Sequence, residues 1–231
     1  MPAPFLARTV RAIFSAVAIS FALTAFSGAA SASHAGDGVE IGSFSHGTMT
    51  GWESRSFKGE TGYSLVTDPE LRTTVLAATA DRSASGRFRK IQVKLTKTPM
   101  LNWSWKVANV LSGTDELKKS GDDFPARLYV VVERGLLGIS SRSLNYVWSS
   151  HQAVGRRWNS PYSDQVVLLA ADSGSEKLGT WVRHKRDLRA DLRSVFGEDI
   201  AAIDAVAVMT DTDNSGSAAK AFYGDIWFSA R

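Results

Sequence analysis

Two stretches of the chain alternate apolar and polar residues with a period of two. Leu101, Trp103, Trp105 and Val107 alternate with Asn102, Ser104, Lys106 and Ala108. Phe124, Ala126, Leu128, Val130 and Val132 alternate with Asp123, Pro125, Arg127, Tyr129 and Val131. A strand turns successive side chains to opposite faces, so this pattern fits strands with one buried face and does not fit helices. Further strands are predicted at residues 64–66, 75–80, 88–95, 144–149, 165–170, 180–184, 206–210 and 221–228, with Gly and Ser-Gly between them. One segment reads as a helix. Leu188, Leu192, Val195 and Phe196 share a helical face, Asp187 stands at the cap position, and Gly197 supplies a stop. A βαβ fold needs a helix between successive strands, and those helices are missing. The expected fold is therefore all-β, a jelly-roll β-sandwich with one short helix.

The amino terminus reads as an export signal. Arg8 and Arg11 precede an uncharged, largely apolar run at residues 12–26, and Ala30-Ser-Ala32 fits the small-x-small cleavage rule. Cleavage is expected after Ala32. The run is shorter than the roughly 20 residues that cross a bilayer, and no second apolar run is long enough to span. The expected organisation is a signal peptide at 1–32, a flexible segment at 33–41 and a single sandwich at 42–231. The expected location is periplasmic or secreted. The chain has no Cys, which excludes disulfides, thiolate catalysis and lipidation at a cysteine. Of the 27 Lys and Arg, the two in the signal are lost on cleavage, leaving 25 against 23 Asp and Glu. This near balance, without a dense basic stripe, argues against nucleic-acid binding.

Several blocks resemble known families. Phe44 with Gly51-Trp52, then Phe57-Lys-Gly-Glu-Thr-Gly-Tyr63 and Ala84-Ser-Gly86, look like the opening of a galactose-binding-like sandwich. Leu101-Asn-Trp-Ser-Trp-Lys-Val107, Gly121-Asp-Asp-Phe-Pro-Ala-Arg-Leu-Tyr129, Leu144-Asn-Tyr-Val-Trp148, Met209-Thr-Asp-Thr-Asp-Asn-Ser-Gly216 and Tyr223-Gly-Asp-Ile226 resemble the domain of unknown function 3047 family of bacterial exported proteins. The resemblance runs from about Gly42 to Phe228. It implies the sandwich more than any ligand, because a fold does not fix a function.

Three constellations carry candidate chemistry. Asp211-Thr-Asp213-Asn214-Ser-Gly216 partly matches a calcium loop, but Ser215 stands at the fifth position and Phe222 where a bidentate Glu should close the loop. An EF-hand is excluded. A looser calcium site on Asp211 and Asp213, a ligand contact and a plain turn all remain open. Asp123, Arg127 and Tyr129 share one strand face by parity. Arg127 either forms a structural pair with Asp123, Asp211 or Asp213, or meets a ligand carboxylate. Residues 148–162 mix aromatic and polar groups in the way a glycan surface needs, and Trp158 and Tyr162 either contact ligand or anchor the loop. Trp103, Trp105 and Trp227 are expected in the core. His151 has no partner at metal-ligand spacing and is expected to be a solvated loop residue.

The candidate ligand-binding residues are thus Arg127, Tyr129, Asn145, Trp158, Tyr162, Asp211, Asp213 and Asn214. No cofactor is expected other than calcium. The leading functional expectation is a non-catalytic exported sandwich that binds a polysaccharide or envelope glycan. One alternative is a polysaccharide hydrolase or lyase using Asp123, Asp211 and Asp213 as acids and bases. Another is a periplasmic protein-binding or assembly factor.

Overall fold

The computed structural model describes residues 38–134 and 141–230. The expected signal peptide and most of the segment at 33–41 lie outside the described residues. Two seven-stranded sheets pack face to face and enclose the core. The first sheet contains β1 (Val39–Gly42), β3 (Gly62–Asp68), β4 (Thr73–Asp81), β6 (Met100–Val107), β11 (Val182–Asp187), β13 (Ala218–Tyr223) and β14 (Ile226–Ser229). The second contains β2 (Glu53–Lys58), β5 (Ala84–Lys94), β7 (Ala126–Val132), β8 (Arg142–Ser149), β9 (Arg157–Ser160), β10 (Ser163–Ser173) and β12 (Ala202–Asp211). The order of the second is β2-β5-β12-β7-β8-β10-β9, antiparallel except for the parallel pair β8–β10. This is the all-β, jelly-roll sandwich the alternation implies. The single short helix, α1 (Leu188–Phe196), is also as expected. The three strands missed by pattern are short or polar: β1, β2 and β9. β1 pairs with β14 and takes in residues that the sequence placed in the flexible segment.

The core grows from the two alternating strands. Leu101, Trp103, Trp105 and Val107 of β6 face Ala126, Leu128, Val130 and Val132 of β7 across the sandwich, all of them buried. The Trp103 and Trp105 rings meet edge to face with centroids 5.6 Å apart, and Trp103 lies 5.0 Å from Tyr146. A buried indole needs a partner for its N–H. For Trp105 that partner is Asp172, at 2.7 Å, which also lies 2.6 Å from His184 Nε2. His184 stacks on Trp103 at 4.5 Å. The helix closes one end. Asp187 accepts a hydrogen bond from Ala190 N at 3.0 Å, and Gly197 ends the helix with φ 72°, a left-handed value that suits glycine.

Trp227 corrects the sequence reading. Residues 221–228 look like one strand, which would put Ala221, Tyr223 and Trp227 on the same face. The structure breaks the run at Gly224-Asp225, between β13 and β14, while both strands remain beside β6. Gly224 N donates to Ser104 O at 2.9 Å, and Asp225 turns aside to accept from Ser45 N at 2.8 Å. The break shifts the parity by one residue. Ala221, Tyr223, Ile226 and Phe228 point inward, and Trp227 points outward, 42% exposed. Replacing Trp105 with Ala is expected to cost about 3–5 kcal/mol in urea unfolding, as for other large-to-small core changes. Trp227→Ala should stay within about 0.5 kcal/mol of the wild type.

Candidate functional site

The late end of β12 and the connection into β7 meet at one corner of the second sheet. Met209 lies opposite Arg127 in the β12–β7 register, so Asp211 falls just beyond the start of β7. The Arg127 side chain is buried. Its Nε donates to Asp211 Oδ1 at 3.0 Å and its Nη2 to Asp211 Oδ2 at 2.8 Å, a two-point contact that matches the planar guanidinium to the carboxylate. Nη2 also donates to the Asp122 carbonyl, and Nη1 reaches Tyr129 Oη at 3.4 Å. The guanidinium lies over the Phe124 ring, 4.2 Å from its centroid. Burial works against the Arg127 charge, but the carboxylates of Asp122 and Asp211 outweigh it and raise the pKa. Of the three partners left open by the sequence, the structure selects Asp211.

Asp123 joins the two loops at the corner. Its Oδ1 accepts from Asn214 N at 3.3 Å and from Asn214 Nδ2 at 3.0 Å, and its Oδ2 accepts from Ser215 N at 2.6 Å. The chain at Gly216 turns with φ 67°. The turn anticipated after β12 is thus capped by a carboxylate from a different loop rather than by its own aspartates. Asp213 is half-buried and meets Lys58 of β2, whose Nζ lies 3.8 Å from Asp213 Oδ2 and donates to Asp213 O at 3.0 Å. Burial, then the charge of Asp123, raises the Asp213 carboxyl above its ordinary pKa. Burial likewise pushes Asp122 up to about 6, against the pull of Arg127.

The connection at 112–123, which reads in sequence as a polar surface loop, is anchored at several points. Glu116 is fully buried and accepts from Ser149 Oγ and from Ser150 N. Gly121 packs so closely on the preceding turn that a Cβ there would lie 2.5 Å from the Asp115 backbone. The aspartates at 122 and 123 are therefore delivered into the corner by a fixed support.

The remaining sequence candidates divide into buried and accessible groups. Asn145 is buried, with Ser143 Oγ donating to its Oδ1. Tyr129 is half-buried between Arg127 and Met209. Trp158 and Tyr162 are half-buried at the rim. Trp158 packs beside Phe124, with centroids 6.2 Å apart, and against Val147 and Leu168 on the outer face of the second sheet. Tyr162 Oη donates within a pair of 3.0 Å contacts to Lys119 O and Asn214 Oδ1, and Lys119 Nζ lies 5.5 Å from the ring centroid. A row of contacts therefore runs from Trp158 through Phe124 and Arg127 to Asp211. His151 is exposed, as expected. Lys58 and Lys119 also belong to the corner, and no local pattern marks them, because each arrives through long-range packing.

The fold and corner define an all-β sandwich whose acidic strand end is closed at its base and lined with aromatic and polar groups at its rim. The model of a family described as a protein of unknown function (DUF3047) matches residues 50–227, and the chain belongs to that family. No curated protein matches the sequence. Among solved structures, the family 11 carbohydrate-binding module of the cellulase Lic26A-Cel5E of Clostridium thermocellum is similar over 85% of this chain and 96% of its own, at 11% identity and a TM-score of 0.46. TmCBM61 in complex with β-1,4-galactotriose is similar over 82% of this chain and 94% of its own, at 10% identity and a TM-score of 0.42. The xyloglucanase domain of NopAA from Sinorhizobium fredii, in complex with cellobiose, is similar over 80% and 96%, at 11% identity and a TM-score of 0.43. Both binding modules and an enzyme domain stand among these neighbours, and similarity this distant carries no argument about what the chain does.

Arg127→Met strands a buried Asp211 and is expected to cost about 3–5 kcal/mol. Adding Asp211→Leu should recover much of that loss in a double-mutant cycle read by urea unfolding. Asp122 supplies a pH signature. Its folded pKa of about 6 lies above the ordinary 3.8, so its contribution to stability is complete below the lower value and is lost as pH rises through the higher. Asp122→Asn, which mimics the neutral acid, should therefore leave the melting temperature almost unchanged near about pH 4 and raise it relative to wild type near about pH 7 in metal-free buffer.

Proposed function

We propose that the protein is an exported, non-catalytic β-sandwich that binds a polysaccharide or envelope glycan at the rim formed by Trp158, Tyr162, Asp213 and Asn214. The observation that carries this reading is the placement of two half-exposed aromatic rings beside partly exposed hydrogen-bonding groups on a fixed support. Sugar rings present apolar C–H faces that pack on aromatic rings, while their hydroxyls need polar partners set at fixed positions. The back of Trp158 rests on Phe124, and Tyr162 is held through its hydroxyl, so neither ring needs ordering when a ligand arrives. Exposed Arg156, Arg157 and Asn159 lie on the same segment and widen the choice of hydroxyl or carboxylate partners.

The non-catalytic part of the proposal draws on the carboxylates. Asp211 is engaged at two points by Arg127 and also accepts from Phe124 N at 3.2 Å. Asp123 caps the turn at Asn214 and Ser215. Neither is free to exchange a proton with a bound sugar without breaking the corner. The hydrolase or lyase alternative rests on Asp213, the one rim carboxyl of the three, with its raised pKa. That reading predicts new reducing or unsaturated ends on a polysaccharide, lost in Asp213→Asn.

Glycan arrays and affinity electrophoresis in gels containing diverse polysaccharides test the proposal. Retardation or array binding is expected for the wild type. Tyr162→Ala and Trp158→Ala should each weaken it at least about tenfold, the loss of one good ligand contact, without a matching loss of thermal stability. An absence of binding across the panel, with or without calcium, would overturn the glycan reading.

A further inference from the structure

We infer that the corner between residues 122–123 and 211–213 holds a calcium ion, with Asp123, Asp211 and Asp213 as its protein carboxylate ligands. One carboxylate oxygen from each of these residues lies within 4.8 Å of the other two. Calcium–oxygen bonds of about 2.3–2.6 Å place two ligands of one ion at most about 5 Å apart, so no pair of these three oxygens is too widely spaced to share one calcium ion. Magnesium, with bonds of about 2.0–2.1 Å, would need the same oxygens drawn to within about 4 Å and a stricter octahedron. The donor set is all oxygen, which suits a hard cation and offers nothing to zinc or copper.

The charge at the corner points the same way. Four carboxylates, Asp122, Asp123, Asp211 and Asp213, gather around one buried guanidinium. The other nearby cation, Lys58, approaches only from the rim, with a side chain 64% exposed. Four cations would balance four ionised carboxylates, and among the described residues Arg127 is the one placed inside the corner. A second and separate observation is the state of Asp122. Its side chain is 8% exposed, and its buried Oδ1 makes no hydrogen bond. The nearest cationic atom, Arg127 Nη2, is 3.5 Å away and already donates to Asp211 and to the Asp122 carbonyl. A buried carboxylate oxygen without a donor is costly, and a cation at the corner is the kind of partner that offsets it.

The carboxylates differ in how much of each remains available. Asp123 and Asp211 already accept several donors each. Asp213 Oδ1 accepts only from Asn214 Nδ2 at 3.2 Å, and its Oδ2 has Lys58 at 3.8 Å. Asp213 is therefore the ligand whose loss should weaken the ion without stranding Arg127. Calcium takes six to eight oxygens, so water and backbone carbonyls complete the shell. The ion would tie the β6–β7 connection to the β12–β13 turn, in parallel with the Asp123 cap. This inference rests on the carboxylates alone and stands apart from the glycan reading.

The test is terbium luminescence on the whole protein, excited through the nearby Tyr162 and Trp158, with calcium and magnesium as competitors. Metal-free protein should show sensitised emission that calcium displaces, and calcium should raise its melting temperature by several degrees. Asp213→Asn should weaken the apparent calcium affinity at least tenfold, while its metal-free melting temperature stays near that of the wild type. Asp122→Asn provides a second variant and should weaken binding less. No calcium-displaceable emission in the wild type, emission undiminished in Asp213→Asn, or equal displacement by magnesium at the same concentration would each overturn the assignment. A protein that binds calcium and no glycan would sink the functional proposal and leave this one standing.

Discussion

The two-point contact between Arg127 and Asp211 joins the central strands of the second sheet at the place where the chain carries most of its chemistry. Arg127 belongs to β7 and Asp211 to β12, and those strands already share a hydrogen-bonded ladder. The ion pair adds a directional contact at the end of that ladder, where backbone pairing gives way to loops. Asp122 and Phe124 close around the same guanidinium from the preceding connection. A lone buried charge would be untenable, so every group near Arg127 is arranged by the need to satisfy it. The loop carrying Asp123 is placed by this requirement, and Asp123 in turn places the turn carrying Asn214. The rim where Tyr162 meets Asn214 is thus the outermost layer of an arrangement organised from the inside.

The aromatic core works on a second principle. The tryptophans of β6 fill the space between sheets, and their bulk explains why a chain without disulfides can hold two large sheets together. The polar end of one of them is met by Asp172, which is also bound by His184. Burial alone would raise the Asp172 pKa, yet the bonds from His184 and Trp105 hold it below the ordinary carboxylate range. The pair of strands that supplies these groups, β10 and β11, lies in opposite sheets, so the contact also fixes how the sheets sit on one another.

Much of the framework was legible in the sequence because alternation is a local property. The faces of β6 and β7 followed from parity, including the side shared by Arg127 and Tyr129, whereas Asp123 lies ahead of β7 in the connection, where strand parity does not apply. The helix followed from its four apolar positions and its two caps. Partner choice was less legible. The sequence offered Arg127 three acidic partners without ranking them, because ranking needs the register between β7 and β12, a long-range fact. The burial of Glu116 was hidden for the same reason: its partners, Ser149 and Ser150, lie at the end of β8, and nothing in a polar loop announces them. Trp227 was misplaced because period-two counting assumes an unbroken strand.

The break at Gly224-Asp225 gives the carboxy-terminal strand an unusual dependence on chain length. Its inner and outer faces are assigned by the count of residues between Tyr223 and Phe228 rather than by their hydrophobicity. From Tyr223 to Trp227 the chain takes four steps while β6 takes three from Trp105 to Asn102, so one extra residue is absorbed at the break; were it paired regularly instead, Trp227 would turn toward the core and Phe228 toward water. The face that Trp227 takes is therefore set by where the extra residue is absorbed, a matter of counting as much as of composition.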